Sequence, residues 1–311
     1  MSDRRAQMAR FLEGGPWRDW RVEPIATDAS ARSYARLRGP EGSVILMDAD
    51  PATNPDTPAF VAIADWLTAR DFAAPRVLAR DPAGFLVLSD LGETRLSDAL
   101  EADPGMADRL FDAATDTLVR LDATPPPPGL AALTPQVAGE MVAITAELYA
   151  RTDAAALSAA TEAAYAGLVP DRVALRDVHV ENLIWRGTAA ARHRVGLLDF
   201  QDALLAPRGY DLASMLSDVR RDVPAAQRRR QIERFAEATG ETAEAITRDT
   251  AILGAQRNLR ILGVFTRLIA GGKPRYAALM PRVRATLARD LAHPALSDLA
   301  RTVARTLPEA A

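Results

Sequence analysis

The sequence contains no cysteine, a single lysine and three histidines among its 311 residues. Without cysteine, a disulfide framework, thiolate metal ligation and a cysteine nucleophile are all excluded. His179, His193 and His293 are too scattered to suggest a zinc site. The first residues are polar and no apolar run approaches the roughly 20 residues of a membrane helix. A cytoplasmic protein with no membrane partner is therefore expected. A formal net charge of −3 leaves no footprint for nucleic acid, and Arg228-Arg229-Arg230 reads as one solvated helix face. All but one of the 38 basic residues are arginine, the exception being Lys273.

What is present suits a globular chain: 48% hydrophobic and 25% charged residues, with length enough for two lobes. Residues 1–92 read as a small antiparallel β-rich lobe with one helix, and 93–311 as a large, mainly helical lobe. Strands are expected at Arg21–Ile25, Arg32–Leu37 and Ser43–Met47, with Gly39-Pro40-Glu41-Gly42 turning between the last two. Ala59–Arg70 places Phe60, Ile63, Ala64 and Leu67 on one helical face. A further hairpin joins Pro75–Ala79 to Phe85–Leu88, and strand character ends at Ser89-Asp90-Leu91-Gly92, which reads as a hinge. Leu96–Asp122 carries one helical pattern, stopped by the prolines at 125–128. In Leu253–Ile269 the core stripe is Leu259, Leu262, Phe265, Leu268 and Ile269, while Arg257, Arg260 and Arg267 occupy polar positions.

The most informative segment runs from 175 to 200. Leu175-Arg176-Asp177-Val178-His179-Val180-Glu181-Asn182 is followed by a short hairpin, Leu183-Ile184-Trp185 against Val195-Gly196-Leu197-Leu198, and then by Asp199. Singly, these residues also suit an Asp capping a turn, an Asn bonding its own backbone and an Asp closing a hairpin. Together, an Asp, an Asn five residues later and a second Asp past an apolar strand match the arrangement that moves a phosphoryl group from a nucleotide. There the first Asp takes the proton of the attacking hydroxyl, and the other two hold magnesium.

Arg176 to Asn182 with Asp199-Phe200 resembles the signature of the aminoglycoside phosphotransferase and choline kinase family, which shares the α+β, protein-kinase-like two-lobe fold. Asp28 to Arg36, Val44 to Ala49, Leu88 to Gly92, Asp199 to Ala203 with Gly209 to Leu212, and Gln256 to Phe265 are more similar to the bacterial amino-sugar kinases of that family. Those phosphorylate the anomeric hydroxyl of N-acetylmuramate and N-acetylglucosamine. The resemblance implies ATP and Mg²⁺ as cofactors, Asp177 as base, and Asn182 and Asp199 as metal ligands. It implies further that Ser89, Asp90 and Leu91 offer backbone groups to the adenine, and that His179, Gln201 and Asp202 bind an amino sugar, with a turn-stabilising role the open alternative for His179. Asp211 is expected to hold the loop by hydrogen bonds, and Arg176 to pair with a carboxylate.

Two departures stand out. Leu175 occupies a position that is usually His in this family. More seriously, a lysine is usual on the third strand, and Val44-Ile45-Leu46-Met47-Asp48 has none. Arg32 and Arg36, which share a strand face at period two with Tyr34, are the candidates to meet the phosphates in its place. Ser30, in the small-residue turn 26–31, would let backbone N–H groups approach them. Open alternatives are a kinase of an aminoglycoside, choline or homoserine, or a catalytically silent nucleotide-binding protein.

Overall fold

Short runs of alternating burial in the first ninety residues build a sheet, and an N-terminal helix covers one of its faces. The computed structural model describes residues 2–26 and 32–308. The turn containing Ser30 therefore lies outside the described residues. The chain divides into two units, Met1–Ala102 with Glu181–Asp202, and Asp103–Val180 with Ala203–Ala311.

The first unit contains α1 (Ser2–Glu13), β1 (Arg21–Ile25), β2 (Ser33–Gly39), β3 (Gly42–Asp48), α2 (Thr57–Ala69), β4 (Val77–Arg80), β5 (Phe85–Ser89) and α3 (Leu96–Ala102). The second opens with α4 (Ala107–Asp122), α5 (Pro135–Ile144), α6 (Ala155–Tyr165) and β6 (Arg172–Ala174). Residues 181–202 return to the first unit with β7 (Leu183–Trp185) and β8 (Val195–Leu197). The second unit then closes with β9 (Leu204–Ala206), α7 (Tyr210–Leu216), α8 (Ala225–Thr239), α9 (Ala243–Ala270), α10 (Met280–Leu291) and α11 (Ser297–Thr306).

The sheet has the antiparallel order β1-β2-β3-β5-β4. Its two-residue connection pairs Gly39 with Gly42, and Gly42 takes φ +126, a conformation that suits glycine. Leu37, Leu46 and Val87 are buried, with Met8, Phe11, Trp17 and Trp20 packed around them. The single expected helix of this lobe is α2, which buries Phe60, Ile63, Ala64, Trp66 and Leu67. Helix α1 was not legible because its apolar content is confined to Met8, Phe11 and Leu12 near one end. It is held by Phe11 stacked on Phe85, centroids 6.0 Å apart, and by Arg4 donating to Asp48 at 2.9 Å.

One further expectation needs correction. The single helix over Leu96–Asp122 is two helices. Asp103 is extended at φ −145 and accepts the Gly105 N–H at 2.9 Å, and Pro104 starts a 3₁₀ turn that separates α3 from α4. The second unit is mainly helical, as expected, and also holds one short ladder. Arg172–Ala174 pairs antiparallel with Leu204–Ala206, a ladder of three residues per strand and too short to show period two.

Helix α9 runs through the core of the second unit, where Leu253, Leu259 and Leu262 are fully buried. Thr145, itself fully buried, inserts its hydroxyl against this helix. It accepts the Gly263 N–H at 3.0 Å and donates to the Leu259 carbonyl, the two groups an ideal helix would join to each other. A Cβ on Gly263 would lie 2.7 Å from both the Ile144 carbonyl carbon and the Thr145 nitrogen, which are backbone atoms that cannot swing away. Gly263→Ala should therefore cost about 1–3 kcal/mol in denaturant titration. Gly167→Ala, with open space around it, should stay within about 0.5 kcal/mol. Equal stability of the two variants would contradict this packing.

Candidate active site

The segment from Leu175 to Val180 belongs to the second unit, and its apolar members Leu175, Val178 and Val180 are buried. Leu175, where the resemblance leads one to expect His, is thus a packing residue. Between these anchors Arg176 takes a left-handed φ of +75, a conformation that costs a non-glycine residue roughly 1–2 kcal/mol. Asp211, in the first turn of α7, offsets that cost by accepting two backbone N–H groups. Leu175 donates at 2.7 Å and Arg176 at 3.0 Å. The Arg176 carbonyl in turn accepts Arg257 Nη1 at 2.6 Å and Ser214 Oγ at 3.3 Å. Arg176, the residue before Asp177, is therefore held at both its N–H and its C=O.

Asp177 itself keeps 45% of its side chain exposed, with Arg257 Nη2 at 3.9 Å from Oδ1. His179 is buried. Arg257, read from sequence as a polar position, is an inward-facing cation whose guanidinium also lies 5.6 Å from the Tyr210 ring centre. Burial works against its charge, but Tyr210 and Asp177 outweigh that and hold the group above its ordinary value. The signal available in the sequence was its place inside the apolar pattern of 253–269, two residues before Leu259.

In the first unit the hairpin of β7 and β8 is fixed on three sides. Trp185 N–H donates to Thr94 O at 2.8 Å, Leu197 N–H to Ala73 O at 2.8 Å, and Leu198 N–H to Asn182 O at 3.0 Å. Phe200 stacks on Phe60 of α2 with centroids 5.1 Å apart. Between these supports Asp199 takes φ +58. Its Oδ2 accepts Asn182 Nδ2 at 3.1 Å and its Oδ1 accepts Gln201 Nε2 at 2.8 Å. Asn182, Asp199 and Gln201 thus meet directly; Asp202 is exposed nearby in the chain. Among the described residues no group of three or more His, Asp or Glu side chains could hold a metal. A carboxylate beside an amide is nonetheless a pair of hard oxygen donors, which fits Mg²⁺ completed by phosphate and water oxygens.

Arg32 and Arg36 have different partners. Buried Arg32 pairs with Asp56 at 2.7 Å, beside the Phe60 ring. Burial raises the Tyr34 hydroxyl, which feels Arg32 pulling it down and Asp199 pushing it up, so all three share one neighbourhood. Arg36 turns to the segment after β5, donating to Asp90 at 2.6 Å and to Gly92 O at 3.2 Å. Burial opposes ionisation of Asp90, but bonds from Arg36, Ser43 and the Gly92 N–H keep its carboxyl below the usual range. Ser89 Oγ accepts the Arg76 N–H at 2.9 Å. Leu91 is half-buried, and its side chain faces Gly196.

A sequence profile described as the phosphotransferase enzyme family matches residues 21–248. The chain is 37% identical to the N-acetylmuramate/N-acetylglucosamine kinase of Caulobacter vibrioides, across 99% of this chain and 98% of that protein. It is 32% identical to the protein of the same name from Pseudomonas aeruginosa, across 93% and 89%. Among solved structures, the GDP complex of wild-type aminoglycoside 2'-phosphotransferase-IIIa aligns with a TM-score of 0.65 at 13% identity. That alignment covers 93% of this chain and 98% of the other, a likeness of fold that bears out the expected α+β, protein-kinase-like class.

Burial pushes the Asp211 carboxyl up to about 6, against the pull of the Leu175 and Arg176 N–H groups and of Arg257. An unfolded Asp titrates near 3.9, so folding takes up a proton at this group between about pH 4 and 6. Its contribution to stability is thus greatest below about pH 4 and declines as pH rises through 6. Relative to Asp211→Asn, the wild type should lose about 2–3 kcal/mol between pH 4 and 7.5. Asp290, also pushed up to about 6 by burial, is common to both proteins and cancels. Denaturant titrations giving a pH-independent difference would contradict the assignment.

Proposed function

The chain belongs to the phosphotransferase enzyme family, and from that premise we propose that it is an ATP- and Mg²⁺-dependent sugar kinase. Its acceptors are N-acetylmuramate and N-acetylglucosamine, phosphorylated at the anomeric hydroxyl in the cytoplasm, where ATP is supplied. The observation that carries this reading is relatedness over nearly the whole length to two kinases of that name. Residues 1–92 would form the lobe that covers the nucleotide, and 93–311 the lobe that bears the acceptor loop.

Asp177 would accept the proton as the anomeric oxygen attacks the γ-phosphorus. The new O–P bond replaces the bond to ADP, giving a sugar 1-phosphate. Its half-exposed carboxylate on a fixed peptide supports that role. Asn182 and Asp199 would hold the magnesium ion, whose charge, when bound, neutralises that developing on the phosphates. Gln201 keeps Asp199 oriented from its other oxygen. Arg32 would meet the phosphates where the family usually has lysine, and Arg36 would act with it through the segment it grips. Ser30 would line the turn over the phosphates. Backbone groups of Ser89, Asp90 and Leu91 would receive the adenine, and His179, Gln201 and Asp202 the sugar hydroxyls.

Incubation with ATP, Mg²⁺ and each sugar should yield ADP and sugar 1-phosphate in equal amounts by mass spectrometry, and GTP in place of ATP serves as the comparison. In Asp177→Asn, turnover should fall about a hundredfold or more while nucleotide affinity changes by less than about twofold. Transfer to neither sugar, or wild-type turnover in the variant, would sink this reading.

A further inference from the structure

Arg260 lies three residues beyond Arg257 on α9, a spacing that puts both side chains on one face of the helix. Arg257 reaches the Arg176 carbonyl and stands 3.9 Å from the Asp177 carboxylate. Arg260 is half-buried, and among the described residues its side chain makes no hydrogen bond or ion pair. Burial first, then the charge of Arg176, pulls its guanidinium below its ordinary value, with Tyr210 and Asp177 pulling the other way and Arg257 adding to the fall. Arg176, Arg257 and Asp177 thus all lie within electrostatic reach of the Arg260 guanidinium.

A guanidinium remains charged at neutral pH, and a partly desolvated one without a partner is costly unless an anion completes it. The two acceptors proposed above differ in one relevant respect: N-acetylmuramate carries a lactyl carboxylate and N-acetylglucosamine has no charge. We propose that Arg260 binds the carboxylate of N-acetylmuramate and so sets the enzyme's preference between its two acceptor sugars. The planar fork of an arginine suits a carboxylate bidentately. Asp177, the base for the acceptor hydroxyl, is among the groups that act on this arginine. This inference rests on the reading of the enzyme as a kinase of both sugars.

The test is steady-state kinetics of Arg260→Gln and Arg260→Lys with each sugar. Arg260→Gln should lower the preference for N-acetylmuramate over N-acetylglucosamine by roughly 10- to 100-fold, carried by KM for N-acetylmuramate rather than by kcat. Arg260→Lys should recover part of that preference, which a merely structural role would not require. Equal losses on both sugars, or a rise in KM for ATP instead, would assign the arginine to the fold or to the nucleotide phosphates and overturn the proposal. An unchanged preference overturns it too. Wild-type protein inactive on both sugars would remove the kinase reading itself, together with this inference. Activity on both sugars with no shift in the variant removes the inference alone.

Discussion

One buried carboxylate accepting two successive backbone N–H groups governs the second unit. Asp211 fixes Leu175 and Arg176 from one side, while Arg257 and Ser214 hold the Arg176 carbonyl from the other. A non-glycine residue at φ +75 persists only where its surroundings over-determine it. Here four polar contacts on one residue's backbone and its neighbour do so. The consequence is a peptide that cannot swing, and a half-exposed Asp177 whose approach is set by α7 and α9 rather than by its own loop. The cost is a carboxyl pushed up to about 6, tolerated because both its N–H donors and a nearby guanidinium favour the charged form.

The first unit solves a parallel problem with side-chain amides. Asp199, also left-handed, has one oxygen taken by Asn182 and the other by Gln201. The Phe60–Phe200 stack ties the next residue to α2. Arginine replaces lysine throughout: Arg4 secures Asp48 at the end of β3, Arg32 secures Asp56, and Arg36 grips Asp90 beyond β5. A fork that donates to two acceptors at once can lock a strand to a loop, which a lysine ammonium does less directionally. That explains how Val44–Asp48, a stretch free of cations, still ends in a well-anchored position.

The strands β1 to β5 and α2 were legible from apolar or 3.6-residue patterns with glycine or proline punctuation, and the β7–β8 hairpin from two apolar runs on either side of the polar segment 186–194. Asp177, Asn182 and Asp199 were legible as a spaced pattern, and Asp211 as a loop holder. What escaped the sequence was non-local or too short. The β6–β9 ladder joins Arg172–Ala174 to Leu204–Ala206 across the whole loop and hairpin that lie between them in sequence, and Pro104 divides the helical stretch that precedes them. Arg36 finds Asp90 54 residues away. Arg257 was read as a polar position because periodicity records which side a residue lies on, and an inward-facing cation with a carbonyl partner looks polar in that code.

We propose that the grip of Asp211 on Leu175 and Arg176 makes Asp177 competent for phosphoryl transfer. Rapid-quench measurement of the first turnover, at saturating ATP, Mg²⁺ and N-acetylglucosamine, compares wild type with Asp211→Ala. In the variant the transfer step should slow by about 100-fold with nucleotide affinity little changed. Equal transfer rates in the two folded proteins would contradict it.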